Sequence, residues 1–232
     1  MSLQEIIQFD QQATLALNGS ESVFWDNVVY TVTNTFSWTL VIIAIFWVIF
    51  KNNKLKEALV VLLFLVLLIT VADRICSGWV KPMVARLRPT QDPHLMYMID
   101  VVRGYRGGLY SFFSGHACNT MSFAVFFSLL FRYHKLTFTL LFWSLTTTFT
   151  RIYLGVHYLG DVCVGWTVGI ILGFLFYIIY DRVQSKFGLG QKLISEQFTM
   201  TGYLIPDLDV LLSIIFANYI LVIVFAMTLG LG

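Results

Sequence analysis

Apolar positions along this chain fall in long unbroken runs rather than in alternation. Six segments, roughly 30–50, 55–76, 115–132, 135–154, 159–180 and 208–231, are apolar enough to cross a hydrocarbon layer, which takes about 20 residues of helix. Backbone exposed to lipid has no water to pair with, so all six are predicted to be helices. The first is the least regular at its start, where "TVTNTFSW" mixes polar with apolar residues. Ahead of it, "LQEIIQFDQQATLALNG" sets Leu3, Ile6, Ile7, Phe9, Leu15 and Leu17 among polar residues. That spacing predicts an amphipathic helix lying in the membrane interface and ending near Asn18-Gly19. No internal repeat or low-complexity segment breaks the pattern. It predicts an all-α, polytopic membrane protein with six transmembrane helices, forming a single domain over 1–232.

Composition sharpens this picture. The chain is 58% hydrophobic and 12% charged, with a mean hydropathy of +0.78; a soluble domain carries about twice that charged fraction. A net charge of +2 is too small to suggest a nucleic-acid partner. The N-terminus has Glu5 and Asp10 but no Lys or Arg, unlike a cleaved signal. Cys76, Cys118 and Cys163 are isolated in or beside apolar runs, so packing is their expected role. No cysteine or histidine cluster has metal-ligand spacing, and neither a metal nor a cofactor is implied.

Where the charges sit matters more than their sum. The connections "KNNKLK" (51–56), "RYHK" (132–135) and "DRVQSKFGLGQK" (181–192) are basic and fall on one side by alternation. The positive-inside rule makes that side cytoplasmic and puts both ends of the chain outside. The first 50 residues, which hold no Lys or Arg, agree. The loop 77–114, on the opposite side, is also basic: Lys81, Arg86, Arg88, Arg103 and Arg106. Cations placed outside break the charge rule, and anion binding is the explanation.

Three fragments meet on that outer face. In "KPMVARLRP", Lys81 and Arg88 are seven apart and share a face if the segment is helical. In "FSGHACNT", Ser114, Gly115 and His116 open the third span, where free N–H groups and the positive end of a helix suit an oxyanion. In "RIYLGVHYLGDV", Gly155 ends the fourth span, and His157 and Asp161 are i and i+4, aligned if a helix begins there. Lys81, Arg88 and Arg151 offer three positive charges, enough for a phosphate dianion and its transition state. Asp161 accepting a proton from one ring nitrogen of His157 leaves the other nitrogen free to attack. His116 is placed to protonate a leaving oxygen. Arg86, Arg103 and Arg106 are expected to contact the headgroup or the substrate rim rather than the phosphate itself.

These fragments resemble the signature of the type 2 phosphatidic acid phosphatase family, which shares a core with the vanadium haloperoxidases. The family pattern is Lys-x6-Arg-Pro, then Pro-Ser-Gly-His, then Ser-Arg-x5-His-x3-Asp. This chain has Lys81 to Arg88-Pro89, Phe113-Ser114-Gly115-His116, and Thr150-Arg151 to His157 and Asp161. The resemblance implies that His157 is the nucleophile that forms a phosphohistidine, that Asp161 orients it, and that His116 is the general acid. It assigns the phosphate to Lys81, Arg88, Ser114, Gly115 and Arg151, with no metal and no cofactor. Phe113 and Thr150 depart from the usual Pro and Ser; neither position carries chemistry.

The implied activity is hydrolysis of a lipid phosphate or diphosphate at the outer face of the membrane. Undecaprenyl diphosphate, phosphatidylglycerol phosphate, phosphatidic acid and lipid A phosphates all fit. The chain's size and lack of a soluble appendage suggest a bacterial inner-membrane enzyme. An intramembrane serine protease needs Gly-x-Ser-Gly, but Phe112 stands at the first Gly and the three cations are left without a role. A metal-dependent phosphatase would have to hold its ion among those cations. A non-catalytic binder or carrier of anionic lipids would not require His157, His116 and Asp161 together. Vanadium-dependent oxidation of a soluble substrate fits poorly with six lipid-embedded helices.

Overall fold

A computed structural model describes residues 2–187 and 196–229. The order is α1 (Leu3–Ala16), α2 (Val23–Thr33), a 3-10 turn (Thr35–Trp38), α3 (Thr39–Asn52), α4 (Leu55–Asp73), a π-helical stretch (Arg74–Val80) and α5 (Lys81–Val84). A 3-10 turn (Val102–Gly104), α6 (Gly115–Phe131), α7 (His134–Tyr153), α8 (Leu159–Lys186) and α9 (Ile205–Thr228) follow. Among the described residues there are two isolated bridges, Leu87 with Tyr110 and Phe198 with Leu204, and no β-strand.

Four helical stretches are long and apolar enough to cross a membrane: Thr35–Asn52, Leu55–Val84, Leu159–Lys186 and Ile205–Thr228. Gly115–Phe131 is apolar but shorter. His134–Tyr153 is long enough but rich in Thr, and its hydroxyls bond back along the helix. Thr139 Oγ1 donates to Lys135 O at 2.9 Å, and Thr147 Oγ1 to Trp143 O at 2.7 Å.

The expected first span, 30–50, is not one helix. Asn34 stops α2, and its Oδ1 accepts from the Phe36 N–H at 3.0 Å, so the chain turns before α3 begins. Side-chain amides compete with the helical ladder in this way, which is why the mixed "TVTNT" stretch breaks. α2 packs against α7 and α9 instead.

α6 lies at the centre and packs against α4, α7 and α8. Its contact with α8 is the closest, because Gly165, Gly169 and Gly173 recur every four residues along one face of α8. A Cβ at any of them would lie 2.6 Å from a backbone carbonyl of α6, those of Ser114, Cys118 and Ser122 respectively. Small residues at this spacing let helix backbones approach where lipid offers no hydrophobic drive to associate.

Polar ties gather at the two ends of the bundle. At one, Lys51 Nζ and Asn52 Nδ2 donate to the Asp207 carboxylate at 2.7 and 3.0 Å, and Asn53 Nδ2 to the Tyr203 hydroxyl at 3.1 Å. The basic connections 51–56 and 132–135 lie here. Of the expected basic loop 181–192, residues 181–186 continue α8, and 188–192 lie outside the described residues. Since α4 rises about 1.5 Å per residue over its length, residues 81–88 fall at the far end, with the starts of α6 and α8. α1 lies across that end against α8. It is amphipathic as expected, with Leu3, Ile6, Ile7 and Phe9 exposed and Thr14 buried.

Candidate active site

The fragment from Lys81 to Arg88 is not the continuous helix that would align its cations by i and i+7. Helix α5 stops at Val84, and Ala85 takes a left-handed conformation with φ 49°. The chain then runs antiparallel to residues 109–111: Ser111 N–H donates to Arg86 O at 2.8 Å and Arg88 N–H to Leu109 O at 3.1 Å. Residues two apart on extended backbone share a face, so Arg86 and Arg88 turn the same way. Lys81, on α5, interacts electrostatically with both Arg88 and Arg151.

Arg88 is 8% exposed. Its Nε donates to Tyr110 O at 3.2 Å, while the buried Nη1 has no partner. Gly107 makes room for it: φ is +66°, and a Cβ there would collide with the Arg88 guanidinium. Arg151, on the last turn of α7, is 4% exposed. Its Nη1 donates to Thr33 Oγ1 at 2.8 Å and its Nη2 to the Tyr105 hydroxyl at 3.1 Å, and its buried Nε has no partner. Two guanidinium groups thus each keep a buried N–H without an acceptor. Buried donors are nearly always paired, and an oxyanion would pair them.

Ser114 caps α6, its Oγ accepting from the Ala117 N–H at 3.4 Å, so Gly115 and His116 stand in the first turn as expected. The Ser114 N–H donates to Asp161 O at 3.0 Å, which ties this turn to the start of α8. The His116 ring reaches the backbone of Thr33. It also borders a cavity of about 260 Å³ whose other walls include Val32, Trp38, Phe123 and Trp143.

His157 lies two residues ahead of α8 rather than on it, so the i, i+4 helical argument does not describe its contact with Asp161. Gly155, with φ +66°, turns the chain after α7, and the Val156 and His157 N–H groups both donate to Arg151 O. Asp161 sits at the third position of α8. Its Oδ2 accepts the Tyr158 N–H at 3.0 Å and lies 3.4 Å from His157 Nδ1. That is longer than a strong N–H···O bond of about 2.7–3.2 Å; such contacts tighten when substrate binds. Both residues are buried. Burial, and after it the charges of Arg88, Arg151 and Lys81 and the neighbouring His116, hold His157 well below the ordinary imidazole value. The ring is therefore neutral near pH 7, with one nitrogen carrying a free lone pair.

All eight residues expected from the sequence thus come together at one end of the bundle. Among the described residues, no group of three His, Cys, Asp or Glu side chains is placed to hold a metal ion. A model of the PAP2 superfamily matches residues 59–185.

The chain belongs to the PAP2 superfamily. It is 34% identical over 185 residues to a lipid A 4'-phosphatase of Bacteroides thetaiotaomicron, covering 79% of this chain and 82% of the relative. A lipid A 4'-phosphatase of Porphyromonas gingivalis is 33% identical over 186 residues, covering 79% and 78%. The undecaprenyl-diphosphatase BcrC of Bacillus subtilis is 36% identical over 74 residues, 32% of this chain and 37% of the relative. No solved structure gives a significant match. With PAP2 membership and relatives named as phosphatases, the chain is a membrane hydrolase.

Several PAP2 site neighbours escaped the sequence. Thr33 touches Arg151, Thr150 and His116, yet nothing but the mixed "TVTNT" stretch marked it. Tyr105 and Asp10 gave no signal. The sequence places Arg86 among headgroup or substrate-rim contacts. Its Nη1 donates to Asp161 Oδ1 at 2.9 Å, after the left-handed turn at Ala85.

Proposed function

We propose that this protein is a lipid phosphatase that hydrolyses the phosphate monoester of a lipid A-type glycolipid through a phosphohistidine, at the outer face of a bacterial inner membrane. The observation that carries the reading is the pair of unpartnered buried donors, Arg88 Nη1 and Arg151 Nε, beside a neutral buried His157. Phosphoryl transfer asks the protein mainly for positioning and for charge aimed at the equatorial oxygens. Arg88, Arg151 and Lys81 supply that charge, with the Gly115 N–H and Ser114 at the start of α6. His157 attacks phosphorus in line, and Asp161 holds its Nδ1–H. His116 gives its proton to the departing oxygen, and water then hydrolyses the phosphohistidine. The mechanism needs no metal.

The cavity at His116 supports a lipid substrate, since the general acid marks the side on which the leaving group departs. The two relatives matched across most of their length favour a lipid A phosphate. The match to an undecaprenyl-diphosphatase covers 32% of this chain and makes that diphosphate the second reading. We read the chain as one domain with six spans, its basic connections in the cytoplasm and the site outside. The internal bonds of the α7 hydroxyls support α7 as a span, since they leave few polar groups facing lipid.

The test is rapid-quench labelling with ³²P-lipid A and ³²P-undecaprenyl diphosphate. An acid-labile, base-stable phosphoenzyme should form fastest on lipid A and be absent in His157→Ala. Label that persists in His157→Ala would remove the proposed nucleophile, and faster labelling from the diphosphate would reverse the substrate order.

A further inference from the structure

At the start of helix α8, Asp161 in the third position accepts the Tyr158 N–H at 3.0 Å, but Tyr158 itself makes no side-chain cap bond, and the next N–H groups need partners from elsewhere. Helix α1 provides them. Thr14 Oγ1 accepts the Leu159 N–H at 3.1 Å, and Asp10 Oδ1 accepts the Gly160 N–H at 2.7 Å. Thr14 is fully buried, and its own proton is committed to Asp10 O at 2.7 Å. Gly160 permits the approach, since a Cβ there would lie 3.1 Å from the Asp10 carboxylate.

Asp10 has a second contact. Its Oδ2 accepts from Arg86 Nη2 at 2.7 Å, while Arg86 Nη1 donates to Asp161 Oδ1 at 2.9 Å. One planar guanidinium therefore spans two carboxylates, one on α1 and one in the catalytic group. It lies over the Tyr158 ring at 3.6 Å, and that ring is itself held by its hydroxyl bond to Asp92 Oδ2 at 2.9 Å. The Arg86 and Asp10 side chains are 26% and 14% exposed.

We infer that Arg86 and Asp10 are positioning residues of the reaction, and that they make His157 reactivity depend on the seating of α1. Arg86 fixes Oδ1 of Asp161, which leaves Oδ2 aimed at His157 Nδ1. Asp10 fixes Arg86 and, with Thr14, the start of the helix that carries Asp161. The outer face of α1 presents Leu3, Ile6, Ile7 and Phe9, the face an interfacial helix sets into lipid. Attack by His157 therefore requires α1 to be docked on the membrane end of α8. This inference rests on His157 being the nucleophile.

The test measures phosphoenzyme formation, kcat and KM on lipid phosphate vesicles, with vanadate affinity as a count of intact phosphate sites. Arg86→Gln should lower kcat by about 10- to 100-fold, by analogy with the outer partners that orient metal-bound imidazoles. KM and vanadate affinity should stay unchanged, because Lys81, Arg88 and Arg151 are untouched. Asp10→Asn keeps an oxygen for the Gly160 N–H but turns an amide toward Arg86, and it should lower kcat in the same way. The double variant should be no slower than Arg86→Gln alone, as expected when one residue acts through the other.

Three results would overturn the inference: an unchanged kcat in Arg86→Gln, independent losses that multiply in the double variant, or a change confined to KM and vanadate binding. If Arg86→Gln does not accumulate, Arg86→Lys decides, since an ammonium cannot present a fork to both carboxylates. It should lose part of kcat at unchanged KM, and full activity would count against the inference. His157→Ala runs alongside: label retained there refutes the nucleophile itself, whatever Arg86 does.

Discussion

Gly107 and Gly104 form a matched pair that tests whether Arg88 is placed to hold phosphate. Both have positive φ, +66° and +71°. Alanine at either must adopt the left-handed conformation, at about 1–2 kcal/mol, so both variants should melt a few degrees lower. They differ in what a methyl group meets. At Gly104 there is nothing within 4 Å, whereas at Gly107 the new Cβ overlaps the Arg88 guanidinium. The guanidinium must pivot, and its Nη1, the end without a protein partner, moves away from the proposed phosphate position. A hydrogen bond to a charged group contributes about 1.5–3 kcal/mol, or about 10- to 150-fold in kcat/KM. Gly107→Ala should lose that much in phosphate release from detergent-solubilised substrate, with a parallel loss in vanadate affinity. Gly104→Ala should stay within about twofold of the parent, being strained but not obstructed. Equal kcat/KM in the two variants would refute the role given to Arg88.

His116→Ala should slow hydrolysis of ordinary lipid phosphates by about 10²–10⁴-fold, the worth of a positioned acid. The defect should shrink on an aryl phosphate, whose leaving group needs no proton; an equal defect on both would remove His116 from that role. The depressed His157 value has a sign that can be checked. On an aryl phosphate, which needs no proton from His116, phosphoenzyme formation requires only the neutral His157 ring, so its rate should stay level through pH 6.5 and fall only well below it. An acid limb centred near 6.5 would contradict the buried, cation-flanked ring. Stability moves in the same direction. The unfolded imidazole takes a proton below about pH 6.5 while the folded one does not, so stability should decline by about 1.4 kcal/mol per pH unit below that point. Gly169→Ala places a methyl group 2.6 Å from Cys118 O and should cost about 1–3 kcal/mol, read as a lower melting temperature in detergent. An unchanged melting temperature would mean that the close packing of α6 on α8 is not needed.

An all-helical membrane class and most of the candidate site were legible along the chain. Apolar runs too long for a soluble core require helices in lipid, and Gly155 and Ser114 mark helix ends through local backbone chemistry. The order and spacing of Lys81, Arg88, Ser114, Gly115, His116, Arg151, His157 and Asp161 carried the family resemblance, because those distances along the chain are a direct property of sequence. How these residues meet depends on packing that no local pattern carries. Lys81 and Arg88 converge through a left-handed turn at Ala85 and a short antiparallel pairing with residues 109–111, not along a helix face. His157 reaches Asp161 from outside α8, through the turn at Gly155 and the Tyr158 N–H. Thr33, Tyr105, Asp10 and Arg86 join the site from segments up to 151 residues away along the chain from Asp161. No local pattern records such contacts: they arise when α1, α2 and the loop between α5 and α6 fold over the ends of α7 and α8, and hydrogen bonds to a buried cation or a helix terminus are satisfied by whatever the packing brings near.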